Sequence, residues 1–160
     1  MINIQIISVG KIKEKSLKAL IDEYSKRISK YAKLEFTEIS DEKIDNVTSN
    51  VEISNIKKIE CDKIIKKLNP KSYIFCLDLK GTNYTSEDFS RKIDNIATYT
   101  SSHITFVIGG SLGLNDELRK KSSELICFSK MTFPHQLIKL FLLEQIFRAF
   151  KISNNETYHH

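Results

Sequence analysis

Apolar and polar residues alternate at the start of the chain (Ile2, Ile4, Ile6) and the positions up to 9 then turn apolar, which predicts a first strand over 2–9. After Gly10, the residues Leu17, Leu20, Ile21, Tyr24 and Ile28 recur at helical spacing and predict a helix reaching about Ala32. LEFTEIS at 34–40 reads as a second strand, and 41–50 as a polar, turn-prone connection. An amphipathic helix follows over 51–68. It stops at Asn69-Pro70, because proline has no N–H to continue it. SYIFCLDL at 72–79 reads as a buried strand and KGTN as the turn after it; Thr85 with Asp88 then forms a capping box for a helix over 86–99. HITFVIG is a second buried strand, 115–123 a short helix and LICFS at 125–129 a last short strand. Pro134 takes the first position of a helix that runs to about Ile152, and a polar tail ends the chain.

Strands that alternate with helices in this way define an α/β fold, with a mostly parallel sheet covered by helices on both faces. No repeat, low-complexity stretch or linker interrupts the pattern, so residues 1–160 read as a single domain, long enough to bury a core. The last helix is apolar nearly all round: Leu137, Ile138, Leu140, Phe141, Leu142, Leu143, Ile146, Phe147, Ala149 and Phe150 give it two apolar stripes where a surface helix has one. One sheet in so short a chain is not expected to cover both, and a homodimer interface is the predicted sink. Glu144 and Arg148, four residues apart, are predicted to pair.

Composition changes this picture little. The chain is 41% hydrophobic and 28% charged, as soluble domains are. No apolar run approaches the roughly 20 residues of a membrane span. The N-terminus lacks the basic flank and cleavage site of a signal peptide and reads as the first strand of a cytoplasmic protein, with no membrane partner. Cys61, Cys76 and Cys127 fit neither a disulfide framework nor a zinc spacing, and Cys76 and Cys127 are predicted to be buried free thiols. His103 opens a strand and reads as structural. His135 sits just inside a helix N-terminus, where the dipole disfavours its cationic form, so a neutral hydrogen-bonding role is expected there and no metal site is predicted.

Charge adds one feature. The net charge is +5, and Lys11, Lys13, Lys15, Lys18, Lys26, Arg27, Lys30 and Lys33 crowd the first strand–helix unit, with Lys57, Lys58, Lys63, Lys66 and Lys67 on a later helix. A solvated helix face and an RNA-facing surface fit this distribution equally.

Candidate chemistry concentrates where the buried strand ends in FVIGGSLGLND (106–116). Ligands of open α/β sheets bind at such carboxyl ends. Gly109, Gly110 and Gly113 spell neither a dinucleotide fingerprint nor a P-loop, and Asn115, Asp116 and Glu117 open the next helix. Two carboxylates occupy the positive helix end a phosphate would use, which argues against a dinucleotide or nucleoside triphosphate and leaves a ligand that is neutral or cationic here, or none at all. A non-catalytic RNA-binding module and a flavodoxin-like ligand-binding domain both remain open on these residues.

FVIGGSLGL, FSKMTFPHQL, LLEQIFRAFKI and the terminal YHH together resemble the RlmH (YbeA-like) family of SPOUT-class methyltransferases over the whole chain, most densely from Ile74 to His160. The resemblance implies a C-terminal trefoil knot, a homodimer, S-adenosyl-L-methionine (SAM) as cofactor, and methylation of N3 of a pseudouridine in a large-subunit rRNA stem-loop on the ribosome. A related knotted enzyme acting on tRNA is the nearest alternative. By the same resemblance the cofactor lies against Leu77, Gly109 and the run Phe128, Ser129, Lys130, Met131, Thr132 and Phe133. Tyr158 and His159 match the family's terminal Y-H and imply a tail near cofactor and target base, with His159 orienting the base or taking its proton. Arg148 and Lys130 are candidates for holding RNA phosphates or stabilising the base anion. The family carries Lys or Arg after Y-H; His160 stands there instead, which removes most of one positive charge at neutral pH.

Overall fold

The alternation in the first strand decides which side of the sheet each residue takes. In β1 (Ile2–Val9), Ile4 and Ile6 enter one core cluster and Ile7 and Val9 a second cluster on the opposite face. The computed structural model describes residues 1–43 and 49–158. Its further elements are α1 (Lys15–Ile28), β2 (Ala32–Ile39), α2 (Asn50–Lys67), β3 (Tyr73–Asn83), α3 (Ser86–Tyr99), β4 (His103–Ile108), α4 (Asp116–Lys121), β5 (Glu124–Cys127) and α5 (His135–Ser153). The strands form one sheet in the order β2-β1-β4-β3-β5, and every pairing is parallel. The sheet is buried on both faces, as its continuous apolar strands require. Helices α1, α3 and α5 cover one face and α2 and α4 the other. The order departs from the flavodoxin-like 2-1-3-4-5, because β4 inserts between β1 and β3.

The two cores differ in character. The larger carries stacked aromatics, with Phe75 and Phe106 parallel at 5.1 Å and Phe89 tilted against both. The smaller is aliphatic, with Cys61 and Cys76 as small buried members. All three cysteines are buried and free. Burial pushes the Cys76 thiol up to about 12, so it is an inert thiol.

Several boundaries differ from expectation. The first helix stops at Ile28, not near Ala32: Ser29 caps it, the Tyr31 amide donates to the Ile28 carbonyl, and Ala32 opens β2 opposite Ile2, where its methyl is buried. Part of the predicted 41–50 connection, residues 44–48, lies outside the described residues. The predicted KGTN turn belongs to β3. Leu77 and Thr82 both pair with Ile126 of β5, so residues 78–81 bulge out between them before pairing resumes, and the Asn83 side chain donates to the Cys127 carbonyl at 2.8 Å. Pro134 is the N-cap of α5 and not its first residue; its carbonyl accepts from the amides of Leu137 and Ile138. Asn115 likewise caps α4 from outside, its side chain accepting from the Leu118 amide at 3.0 Å. Thr85 and Ser49 cap α3 and α2 in the same way.

The apolar girth of α5 is mostly absorbed within the chain. The helix lies on the sheet between α1 and α3, so its flanks as well as its base are covered, and Leu142, Leu143, Ile146, Phe147, Ala149 and Phe150 are buried. Phe147 meets Tyr24 of α1 edge-on, and Phe150 stacks on Tyr31 at 5.3 Å. Each large apolar side chain so buried contributes about 1.5–3 kcal/mol. A buried cation fixes the helix further: the Lys139 ammonium lies 3.3 Å from Ser8 Oγ, 3.7 Å from Glu38 and over the Phe36 ring. What stays exposed is a short apolar strip, with Leu137 at 37% and Phe141 at 39%. Among the described residues, no helix is long and apolar enough to cross a membrane.

The bulge in β3 depends on Gly81. A Cβ there would fall 2.5 Å from the Ile126 carbonyl carbon, a backbone atom that cannot step aside. Replacing Gly81→Ala is therefore expected to cost about 1–3 kcal/mol in urea unfolding, the usual range for overpacking a closed site. Unchanged stability would show that β5 shifts freely.

Candidate functional site

The carboxyl ends of β3, β4 and β5 open onto a cavity of about 360 Å³. Three segments close it. The first is the end of β3 with its bulge (Leu77 to Lys80), the second the glycine loop from Gly109 to Leu114, and the third the connection from β5 to α5. That connection has a physical reason to arch. β5 is an edge strand beside β3, whereas α5 begins close to the end of β1, with His135 Nε2 3.3 Å from where a Cβ on Gly10 would stand. Residues 128–134 must therefore cross three strand spacings, roughly 14 Å, while their extended reach is roughly 24 Å. The slack lifts them into a roof.

The glycine loop forms the floor. Leu114 is fully buried and anchors the loop; the Gly113 amide donates to the Gly110 carbonyl at 3.0 Å, and Gly113 adopts a φ of +80°, where other residues are strained. A Cβ on Gly109 would stand 2.7 Å from Leu114 Cδ2, so glycine here lets the strand end and the anchor pack together. The walls are largely apolar: Leu77, Ile108, Ile126, Phe128, Met131, Phe133 and Ile138. Met131 is 73% exposed at the mouth.

Of the residues predicted to hold a cofactor, Leu77, Gly109, Phe128, Ser129, Met131, Thr132 and Phe133 all line this cavity. Lys130 does not line it; its side chain is exposed, and the neighbouring Ser129 hydroxyl accepts the Met131 amide. Asp78 and Arg119 are lining residues that the sequence reading missed. Arg119 Nε donates to Asp78 at 2.8 Å and Nη1 to Asp116 at 3.0 Å, and Asp78 also caps the bulge by accepting the Lys80 amide. The signal was present, since Asp78 is a charged residue at the end of the predicted buried strand and Arg119 lies one turn after Asp116. His135, for which only a neutral hydrogen-bonding role was expected, is also on the wall.

A second cavity, of about 320 Å³, adjoins the first and shares Ile126, Cys127, Phe128, Ser129 and Phe133 with it. Its far side is formed by Tyr84, Thr85, Ser86, Phe89, Phe141, Glu144 and Gln145. The proposed catalytic residues Arg148 and Tyr158 line neither cavity. They converge on Glu144. Arg148 grips its carboxylate with Nη2 at 2.7 Å and Nε at 3.3 Å, the pair expected from their spacing. Tyr158 donates its hydroxyl to Glu144 Oε1 at 3.0 Å, packs edge-on against Phe147, and lies under the Arg148 guanidinium. The Gln145 amide donates to the other carboxylate oxygen and accepts from Ser86. Burial, reinforced by contacts with Tyr24 and Glu144, pushes the Tyr158 phenol up to about 12. Tyr158 is therefore a neutral donor at physiological pH. His159 and His160 lie outside the described residues.

A third polar cluster ties α3 to the sheet: Glu124 accepts from the hydroxyls of Tyr73 and Tyr84 and pairs with Lys92 at 3.2 Å. No group of three His, Cys, Asp or Glu among the described residues is arranged to hold a metal ion.

A parallel α/β sheet with a largely apolar cavity across its carboxyl edge is the class of domain that takes a small organic ligand. The chain belongs to the SPOUT methyltransferase family: the model described as "Predicted SPOUT methyltransferase" matches residues 2–159. It is 52% identical over 157 residues to the ribosomal RNA large subunit methyltransferase H of an Exiguobacterium species, covering 98% of this chain and 99% of the relative. It is 53% identical over the same shares to the ribosomal RNA large subunit methyltransferase H 1 of Clostridium perfringens. Among solved structures, a methylase family protein of Haemophilus influenzae matches with a TM-score of 0.54 at 15% identity, over 99% of this chain and 70% of that one. A Legionella pneumophila methyltransferase, solved with its cofactor SAM, matches with a TM-score of 0.51 at 10% identity. The match covers 91% of this chain, which spans 65% of the Legionella chain. At these identities the two structures speak for the fold.

The Tyr158 contact has a pH signature. A phenol whose folded pKa is raised from 10 to about 12 contributes stability that is fully present below pH 10 and lost as pH rises toward 12. Wild type is therefore expected to lose more stability than Tyr158→Phe between pH 9 and 11.5, read by urea unfolding at each pH. Parallel losses in the two proteins would mean that the hydroxyl is not bound to Glu144.

Proposed function

We propose that this chain is a SAM-dependent methyltransferase of large-subunit rRNA that methylates N3 of a pseudouridine in a stem-loop of the ribosome, acting in the cytoplasm as a homodimer with a C-terminal trefoil knot. The observation that carries this reading is the full-length likeness, above 50% identity, to proteins named ribosomal RNA large subunit methyltransferase H.

The donor set of the cavity fits SAM. Its apolar walls suit an adenine ring, and the backbone groups of residues 109–110, 127–129 and 131–132 can read the ring edge. Asp78 and Arg119 offer opposite charges to an amino-acid end. Asp116 and Glu117 at the start of α4 stand off the cavity wall, and the sulfonium would face its apolar lining. Leu77, Gly109, Phe128, Ser129, Met131, Thr132 and Phe133 would hold the cofactor, and Lys130 would stand outside at the mouth. Bound there, SAM supplies an electrophilic methyl group.

The remaining chemistry falls to positioning and to the N3 proton of the target base. The second cavity, sharing a wall with the first, is where that base would sit, with Phe128, Phe133, Phe141 and Tyr84 as stacking surfaces. Both oxygens of Glu144 are already engaged, so its part is to fix Tyr158 against α5. His159 would orient the base or take its N3 proton. Arg148, held by Glu144 outside both cavities, would hold an RNA phosphate beside the base. The exposed strip of Met131, Phe133, Leu137 and Phe141 beside this cavity is the natural surface for a second copy.

Mass-spectrometric mapping of rRNA from strains with and without the gene tests the reading: a methylated pseudouridine of the large subunit should vanish with the gene, and its persistence would overturn the assignment. In the purified enzyme, Glu144→Gln is expected to lower kcat about 10-fold or more, with SAM affinity by calorimetry within 2-fold, in the range of a lost positioning contact. Phe141→Asp should shift the protein to a monomer in light scattering; a persistent dimer would place the interface elsewhere.

A further inference from the structure

The lysines at the β1–α1 corner find no use in the fold. Lys11, Lys13, Lys15 and Lys18 are all exposed, and none is paired with a carboxylate among the described residues. Two of them run against helix electrostatics. Lys15 and Lys18 stand in the first turns of α1, where cations meet the positive end of the dipole. The helix has no acidic residue in its first turn, and its N-cap, Glu14, makes no side-chain capping bond. A sequence selected for stability alone would place carboxylates or a Ser or Asp cap there, as α2, α3 and α4 do with Ser49, Thr85 and Asn115.

The corner also sits beside the candidate site. β1 pairs with β4, whose end carries the glycine loop, so residue 10 leaves the sheet at the same carboxyl edge as the cavity. The Lys11 carbonyl accepts from the Gln136 side chain at 3.3 Å, and His135, the preceding residue, lines the cavity. On the other flank of the mouth stand Lys80 and Lys130, both exposed and without a paired carboxylate among the described residues. Positive charge thus brackets the opening, with Glu14 the one carboxylate within the corner segment.

We infer that the corner formed by Lys11, Lys13, Lys15 and Lys18 is a docking rim for the RNA phosphate backbone, holding the strand whose base enters the site; this rests on the RNA-methylating function proposed above. Phosphate contacts fix register and orientation without reading sequence, which is what a chain with so small a base-facing surface needs. The amino-terminal edge of the sheet supplies a matched comparison. Lys33, Lys66, Lys67 and Lys71 are exposed and lie at the start of β2, at the end of α2 and just before β3.

Two variants with equal charge loss decide the matter. One carries Lys11→Gln, Lys13→Gln, Lys15→Gln and Lys18→Gln; the other carries the same change at Lys33, Lys66, Lys67 and Lys71. Binding to purified large ribosomal subunits is measured by filter retention across a series of KCl concentrations, with SAM present. The corner variant is expected to bind at least 10-fold more weakly at low salt, and its slope of log K against log salt should be shallower by about 3, the loss of four phosphate contacts. The amino-edge variant should follow wild type. The corner variant should unfold at the same urea concentration as wild type or higher, since it removes cations from a helix start. A wild-type slope for the corner variant, or equal losses in the two variants, would overturn the rim. Methyl incorporation by wild type in the same tubes reports separately on the proposed function: its absence would count against that reading, while the salt comparison still decides the rim.

Discussion

The position of α5 is the constraint on which the rest of the molecule turns. Its apolar girth is satisfied only in the trough between α1 and α3, over β1 and β4, and Lys139 pins it there against Ser8 and Glu38. Because β5 lies at the far edge of the sheet, the seat of α5 obliges residues 128–134 to travel back across the strand ends. The roof of the cavity is thus a by-product of how the last helix is buried. A change that loosened α5 would be felt first as a loss of the ligand site, well before the sheet itself came apart.

The same helix connects the two halves of the candidate chemistry. Its first turn brings His135 and Ile138 to the cavity wall, and two turns later Glu144 faces the adjoining cavity. Glu144 gathers Arg148, Gln145 and Tyr158, so the end of the chain is tied to a side chain that borders the second cavity. In this arrangement the proposed donor site and the proposed base site share Ile126 to Ser129 and Phe133, so groups bound in the two cavities would meet at those residues. Reaction geometry is then a matter of how rigidly that wall and the tail are held, and both depend on α5.

Much of this was legible in the residues, and the exceptions share a cause. The α/β layout, the Thr85 cap, the buried thiols Cys76 and Cys127 and the Glu144–Arg148 pair follow from local pattern, because each is decided by neighbours in sequence. The strand order, with β4 between β1 and β3, is set by long-range packing that periodicity does not encode. The KGTN segment reads as a turn because glycine and asparagine punctuate chains, whereas β5, with Gly81 close against the Ile126 backbone, draws it back into the sheet. Nothing local says that α1 and α3 rise on either side of α5, so how much of its second stripe is buried within the chain could not be read from the residues. In the site, Asp78 and Arg119 escaped notice because their pairing spans 41 residues.

The claim at the centre of this account is that the roof and floor of the first cavity enclose a methyl donor. A crystal structure with SAM bound tests it most directly. The account predicts the adenosine between the Gly109–Leu114 loop and residues 128–133, with the sulfonium turned toward the wall shared with the second cavity. SAM found elsewhere on the surface, or no occupancy at concentrations far above those that saturate related enzymes, would contradict it.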